Sequence, residues 1–205
     1  MDSSRTLLLA GIEQLGLEAT TAQIDSLLNF VDLIEKWNKA FNLTAIRGRD
    51  EMLRLHILDS LAILPFITGN KIIDVGTGAG LPGIPLAIFM PNVQFTLLDS
   101  NSKKTRFVQQ AILELQLQNV EVVHSRVEQL GRDGEYDAVL SRAFASLGDI
   151  MNLTEYLLQS EGALIAMKGQ VPELELKEMS RSYSVKSIVV PGIEAERCVL
   201  RINKI

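Results

Sequence analysis

The fold of this chain is decided by the stretch Lys71-Ile72-Ile73-Asp74-Val75-Gly76-Thr77-Gly78-Ala79-Gly80-Leu81-Pro82-Gly83. A short run of β-branched residues, typical of a buried strand, ends at an acid and is followed by three glycines at alternate positions. Glycine has no Cβ, so the backbone can turn sharply into a helix and approach a ligand closely. Helix N-termini and glycine turns favour ligands that are anionic or rich in acceptors. We therefore expect a nucleotide-like cofactor at this turn.

Two cofactors fit the glycine pattern. Residues 78–83 match the G-x-G-x-x-G dinucleotide fingerprint, and Asp99 follows at about the distance of a ribose-binding acid. With the first glycine taken two residues earlier, at Gly76, the pattern Asp74-x-Gly76-x-Gly78-x-Gly80 resembles the first motif of class I S-adenosylmethionine (AdoMet) methyltransferases. Asp74 suits a ligand with an ammonium group and would repel a pyrophosphate, and Pro82 lacks an N–H that a phosphate would use. The pattern therefore favours AdoMet.

Composition limits the classes of protein that fit. The 205 residues are 47% hydrophobic, which is enough for one α/β domain with a modest extension. The single cysteine excludes intrachain disulfides and favours a cytoplasmic protein. We expect no signal peptide and no membrane segment, and two histidines far apart from the cysteine predict no metal site. The net charge of −5 is unusual for a free-standing nucleic-acid binder and, if RNA is the substrate, favours a folded ribonucleoprotein surface.

The chain divides by its pattern of hydrophobic residues. Residues 1–68 predict an N-terminal helical cap, with a capping box at Thr20-x-x-Gln23 and a further helix over 51–64. Residues 69–205 alternate strand and helix and predict an α/β domain with a seven-stranded, mostly parallel sheet of Rossmann-like type. Its expected strands are 72–75, 93–99, 120–124, 137–140 and 163–167, followed by an antiparallel hairpin of 187–190 and 198–202.

Candidate cofactor residues follow the ends of the strands, because doubly wound sheets bind ligands at the carboxyl ends of their strands. Gly76, Gly78 and Leu81 would surround the methionine part and the ribose. Asp99 would accept the ribose hydroxyls, with a helix N-cap as its alternative role. Val127 and Glu128 would hold the adenine. Taken alone, Glu128 could equally be an ordinary surface acid at the start of a helix. With Asp74 and Arg142, these residues form the predicted cofactor site.

The fourth strand ends in Ser141-Arg142-Ala143-Phe144. In a methyltransferase, residues at this position are expected to select the atom that receives the methyl group. The chain lacks the N/D-P-P-Y/F motif of DNA amino-group methylases at this place, and it lacks the cysteine after proline that is common in 5-methylcytosine RNA enzymes. The pattern therefore favours a target atom whose lone pair can attack without prior loss of a proton, such as guanine N7. No catalytic acid or base is then required, and Arg142 and Lys168 are candidates for positioning the substrate. Phe144 would stack on a base or pack in the core. His56 and Asp59, one helical turn apart, predict a structural hydrogen-bonded pair.

Together these residues make the chain similar to the RsmG (GidB) family of 16S rRNA 7-methylguanosine methyltransferases. The resemblance covers nearly the whole chain and is carried by the motifs Asn42-Leu43-Thr44-Ala45-Ile46, His56-x-x-Asp59-Ser60-Leu61, the glycine turn through Ile84-Pro85, Ser125-Arg126-Val127-Glu128, Ser141-Arg142-Ala143-Phe144-Ala145 and Lys168-Gly169. Leu81 stands where many members carry phenylalanine, which leaves the cofactor role intact but alters the pocket slightly.

The resemblance implies a cytoplasmic bacterial enzyme that methylates N7 of guanine 527, in the 530 loop of 16S rRNA, within the small ribosomal subunit. It also implies that Gly76, Leu81, Val127, Glu128 and Arg142 contact AdoMet. It gives no basis for predicting a protein partner. Two other functions stay open at this point: an NAD-dependent oxidoreductase, and a non-catalytic AdoMet-binding module associated with ribosomes.

Overall fold

The structure, a computed structural model, describes residues 3–142 and 146–204. Its strands are β1 (Lys71–Val75), β2 (Gln94–Asp99), β3 (Val120–His124), β4 (Tyr136–Arg142), β5 (Leu158–Lys168), β6 (Tyr183–Ile188) and β7 (Arg197–Asn203). Its α-helices are α1 (Ser3–Gln14), α2 (Thr21–Phe41), α3 (Arg49–Met52), α4 (Asp59–Leu61), α5 (Gly83–Phe89), α6 (Ser102–Glu114), α7 (Leu147–Thr154) and α8 (Glu173–Lys177).

The seven strands form one sheet in the order β3-β2-β1-β4-β5-β7-β6. The first five strands are parallel, whereas β7 pairs antiparallel with β5, and β6 pairs antiparallel with β7. This topology confirms the predicted sheet and its terminal hairpin. The strand order reverses between β1 and β4, and in such sheets the crevice at that point is where ligands bind.

Several predicted boundaries of the strands are wrong. The strand β5 begins at Leu158 rather than at residue 163, because Leu158 pairs with Tyr136 before a register shift between the two strands. The strand β6 covers residues 183–188 rather than 187–190, and Val189 lies outside it with 85% of its surface exposed. Because β6 is an edge strand without a buried face, its sequence has only a weak form of the alternation of hydrophobic and polar residues that would predict a strand.

The N-terminal residues are helical, as predicted, and the capping box of α2 is confirmed. The Gln23 N–H donates to Thr20 Oγ1 (3.2 Å), and the Thr20 N–H donates to Gln23 Oε1 (2.9 Å). The segment predicted as a helix over 51–64 is helical from Arg49 to Leu61, but a π-helical segment, Leu53–Leu58, separates α3 from α4. In the described part of the chain no helix is long and apolar enough to span a membrane.

Both faces of the sheet are covered, and the N-terminal helices share the core of one face. Alternation along β1 places Ile72 in one hydrophobic cluster and Ile73 in the other. The first cluster includes α2, whose Phe30 ring lies 6.3 Å from the Phe107 ring of α6, while Trp37 lies 5.9 Å from the same ring. The domain boundary between residues 68 and 69 stays a prediction, since the helices before it pack directly on the sheet domain.

This packing predicts that the N-terminal helices and the sheet unfold together. Replacing Phe107, which is fully buried, with alanine removes the ring that α2 packs against and should lower the free energy of unfolding by about 3 to 5 kcal/mol. Trp37 is the only tryptophan and reports on α2, so its fluorescence should melt together with the far-UV dichroism in both proteins. An earlier fluorescence transition in the wild-type protein would show that the helical segment is independent.

Candidate functional site

A cavity of about 640 Å³ lies at the carboxyl ends of β1, β2 and β3, beside the end of β4. Its lining includes five predicted cofactor residues: Gly76, Asp99, Val127, Glu128 and Arg142. The volume lies within the range typical of cofactor pockets. The structure therefore brings together, across four strands, residues that are far apart in the sequence.

The glycine turn forms one wall of this cavity. Gly76, Gly78 and Gly80 have φ angles of 72°, 62° and 77°, in the left-handed region that favours glycine. The N–H groups of Gly76 and Thr77 both donate to the Leu98 carbonyl, at 2.8 and 3.0 Å. The turn is thereby fastened to the end of β2.

Asp74 lies beneath the turn and is 1% exposed. Its Oδ2 accepts hydrogen bonds from the Thr77 hydroxyl (2.7 Å) and the Gly83 N–H (3.0 Å), so it joins the two ends of the turn. Burial raises the pKa of Asp74 to about 6, against the hydrogen bonds from Thr77 and Gly83, which lower it. The cavity lining does not include Asp74. The observed role is structural, and direct contact with the cofactor's ammonium stays a prediction.

Asp99 is 7% exposed and faces the cavity from the end of β2. One carboxylate oxygen accepts the Gly78 N–H (2.9 Å), and the other accepts the Asn101 N–H (2.8 Å). The N-cap of α6 is Asn101, whose side chain accepts the Lys103 N–H at 2.9 Å. The alternative capping role therefore belongs to Asn101, and the Asp99 oxygens keep lone pairs for a ligand.

Val127 and Glu128 begin a 3-10 helix, Val127–Gln129, that follows β3. Val127 is 6% exposed and its carbonyl accepts the Tyr156 hydroxyl, which holds the backbone in place. Glu128 is exposed at the mouth of the cavity. The first N–H groups of a helix have no partner within it, so this turn presents a donor and an acidic acceptor side by side.

Two other predicted site residues, Gly78 and Leu81, are placed differently. Gly78 acts through its N–H bond to Asp99, and Leu81 is 3% exposed in the hydrophobic core below the turn. Neither residue belongs to the cavity lining, so their contacts with a cofactor stay predictions. Phe144 lies outside the described residues.

A second cavity, of about 530 Å³, lies on the other side of Arg142, which lines both cavities. Its charged lining residues are Asp59, Arg142, Lys168 and Arg197, and Lys168 also forms an ion pair with Glu175 at 3.7 Å. His56 lines it too, and burial together with the nearby Arg142 charge lowers the pKa of His56 to about 4. The imidazole is therefore neutral at pH 7, and the cavity carries more positive than negative charge.

The predicted hydrogen-bonded pair of His56 and Asp59 is wrong. His56 Nε2 lies 2.9 Å from Thr44 Oγ1, whereas the Asp59 carboxylate binds Arg197 and faces Arg142. In a regular α-helix, side chains three residues apart lie on the same face. The π-helical segment changes this spacing, so the rule does not apply to His56 and Asp59.

Sequence reasoning also missed several residues of both cavities. Ser100, Asn101, Lys104, Ser125, Arg126 and Leu153 line the first cavity, and the rule of strand ends points to most of them. Arg197 was missed because β7 runs antiparallel, which places its first residues, rather than its last ones, beside Lys168 at the end of β5. Among the described residues, no group of three or more His, Cys, Asp or Glu side chains is arranged to hold a metal ion.

The strand order, the glycine turn and the cavity above it define the class I AdoMet-dependent methyltransferase fold. Two solved structures illustrate the likeness. A SAM-dependent methyltransferase from Aquifex aeolicus has a TM-score of 0.58 and 17% identity, covering 76% of this chain and 93% of that one. A precorrin-6y C5,15-methyltransferase from Geobacter metallireducens has a TM-score of 0.55 and 16% identity, covering 80% of this chain and 92% of that one.

The chain belongs to the GidB family, described as rRNA small subunit methyltransferase G, whose family model matches residues 23–198. Among relatives named "Ribosomal RNA small subunit methyltransferase G", the Psychromonas ingrahamii protein is 48% identical over 197 residues, covering 95% of each chain. The Escherichia coli protein is 45% identical over 199 residues, covering 95% of this chain and 96% of its own. The family predicted from the sequence is confirmed.

The pKa of Asp74 predicts how stability depends on pH. The unfolded carboxyl ionises near pH 4, while the folded one keeps its proton up to about pH 6, so the folded state binds more protons in this window and loses stability as pH rises. The variant Asp74→Asn retains an acceptor oxygen at this position but has no group there that titrates. Relative to this variant, the wild-type free energy of unfolding should fall by roughly 2 to 3 kcal/mol between pH 4 and pH 7. Urea unfolding curves across this range measure the difference, and two parallel pH profiles would contradict the assignment.

Proposed function

We propose that this protein transfers the methyl group of AdoMet to N7 of a guanine in small-subunit rRNA, at nucleotide 527 of the 530 loop. Membership of the GidB family supports an AdoMet-dependent rRNA methyltransferase, and the resemblance given above supports the finer assignment. The observation that carries the proposal is that Arg142 separates a cofactor-sized cavity from a basic one. Methylation of ribosomal RNA is consistent with the cytoplasmic location expected from the sequence.

AdoMet would occupy the first cavity. The Asp99 carboxylate would accept the ribose hydroxyls, and the Val127 N–H with the Glu128 carboxylate would read the adenine. Gly76, together with Gly78 and Leu81 at the turn, would shape the space for the methionine part. The turn is held in place by Asp74 and Leu98 before any ligand arrives, which reduces the cost of ordering it on binding.

The acceptor guanine and its phosphate would enter the second cavity. Arg197 and Lys168 supply positive charge for the RNA backbone or for guanine O6, and Arg142 faces both ligands. Phe144, outside the described residues, stays a candidate for stacking on the base. This placement directs the acceptor towards the cofactor from the carboxyl end of β4 and β5.

In the proposed reaction, the N7 lone pair forms the new N–CH₃ bond while the S–CH₃ bond breaks. The electron pair of the broken bond stays on sulfur, the sulfonium becomes a thioether, and the methylated guanine takes up the positive charge. No proton leaves N7, so no general base is needed. In the second cavity the Asp59 carboxylate is engaged by arginines, and His56 contacts the Thr44 hydroxyl through Nε2. Catalysis then consists of alignment and exclusion of water.

The alternative of an NAD-dependent oxidoreductase is not supported, because the chain belongs to a methyltransferase family. A non-catalytic AdoMet-binding module differs from the proposed enzyme only in whether a methyl group is transferred. Measuring AdoMet binding and methyl transfer separately distinguishes these two functions.

Arg142→Ala should weaken AdoMet binding by about tenfold or more, a loss of about 1.4 kcal/mol, because a partly buried guanidinium facing the cofactor is removed. Calorimetric titration measures the dissociation constant. Arg132→Ala is the matched control, since Arg132 binds Glu121 near the far edge of the sheet and does not line either cavity. A change of less than about twofold for Arg142→Ala, well under 1 kcal/mol, would remove Arg142 from the cofactor site.

The transfer itself is tested with tritiated AdoMet and small ribosomal subunits from a strain that lacks this family's enzyme. We expect label in the rRNA and strand scission at guanine 527 after borohydride and aniline treatment, which cleaves at 7-methylguanine. Naked rRNA should be a poorer substrate, given the acidic net charge. AdoMet binding without transfer to any form of the RNA would support the non-catalytic module, and scission at another guanine would correct the target.

A further inference from the structure

Asp59 lies between two arginines that come from different strands. Its Oδ1 accepts a hydrogen bond from Arg197 Nε at 3.0 Å, and its Oδ2 lies 3.7 Å from Arg142 Nη1. The Asp59 side chain is 8% exposed, and those of the two arginines are 23% and 22% exposed. A carboxylate from the N-terminal helices thus joins the end of β4 to the start of β7.

The backbone of Asp59 is held firmly. The Asp59 N–H donates to the Arg54 carbonyl five residues earlier, as in a π-helical turn, and the Ser60 hydroxyl donates to the His56 carbonyl. The neighbouring side chains of Leu58 and Leu61 are 1% and 0% exposed in the core. Motion of the Asp59 backbone would therefore require repacking of the core beneath it, and the carboxylate itself is held by its arginine partners.

Charge explains why a carboxylate is needed at this position. Burial lowers the pKa of Arg142, the Asp59 carboxylate and after it Asp74 raise this pKa, and the repelling charge of Arg197 lowers it further. Removing one partner of a partly buried ion network leaves the remaining charges uncompensated, which is more costly than loss of a surface pair. Without Asp59, the two guanidinium groups would move apart and away from their present positions beside the cavities.

We infer that Asp59 is a positioning residue for methyl transfer: its carboxylate holds Arg142 on the wall between the two cavities and Arg197 in the second cavity. The N-terminal helices thereby form part of the transfer site. The inference rests on the proposed function for the roles of the two cavities, but the coupling between Asp59 and Arg142 is measurable in AdoMet binding alone.

The test is a double-mutant cycle in the full-length protein, read as the AdoMet dissociation constant. Asp59→Asn keeps the shape of the side chain but removes the charge, and should weaken AdoMet binding by about fivefold, within the range of coupling between contacting residues. In the Arg142→Ala background the same substitution should change binding by less than about twofold, because the group it positions is gone.

Asp137→Asn is the matched control. Asp137 stands in the same strand as Arg142 but at its amino end, where its Oδ2 accepts the N–H groups of Asn70 (2.7 Å) and Lys71 (2.9 Å). A loss of stability that is unrelated to the site should affect both variants, so binding is measured where thermal melts show each to be folded. The control should bind AdoMet within about twofold of the wild type.

Each outcome bears on the inference. Additive effects of Asp59→Asn and Arg142→Ala, or unchanged or tighter AdoMet binding by Asp59→Asn, would overturn a positioning role. A wild-type protein that binds AdoMet but methylates no RNA would overturn the proposed function, while the cycle would still decide the role of Asp59. With active enzyme at saturating AdoMet, Asp59→Asn and Arg197→Gln should each lower kcat/KM for subunits, and the double variant should lose little more than either alone.

Discussion

The hydrogen bonds from Thr77 and Gly83 to the buried carboxylate of Asp74 hold the turn on which the cofactor cavity depends. Three glycines in left-handed conformations make this turn possible, but they also give the unfolded chain more freedom to lose on folding. A single carboxylate oxygen that accepts donors from both ends of the turn offsets this cost. The position of the turn then sets the position of Asp99, because the Gly78 N–H donates to it.

The two cavities meet where the carboxyl ends of parallel strands lie beside the amino end of an antiparallel strand. Parallel β4 and β5 bring Arg142 and Lys168 there at their carboxyl ends, and antiparallel β7 brings Arg197 there at its amino end. Three cations so close together repel one another unless an anion lies among them. The N-terminal helices supply this anion as Asp59, so their packing on the sheet has an electrostatic as well as a hydrophobic component.

Local signals in the sequence were sufficient for much of the fold. The β-branched run before the glycines predicted β1, the Thr20 and Gln23 pair predicted the start of α2, and the change from helical to extended spacing predicted the terminal hairpin. The limits of β6 were not predictable in the same way, because an edge strand with exposed side chains on both faces has little periodicity. The π-helical segment was missed since its residues have the composition of an ordinary helix.

The sequence by itself determined the class of fold, the glycine turn and five of the residues that line the first cavity. These features follow from φ angles that only glycine adopts readily and from the rule that ligands bind at strand ends. Only the tertiary structure decided that Asp74 turns inwards to the loop, that His56 and Asp59 have separate partners, and that Arg142 and Arg197 share one carboxylate. Such choices depend on the direction of side chains and on strand pairing across 138 residues of chain, between Asp59 and Arg197, and no local pattern encodes a contact of that range.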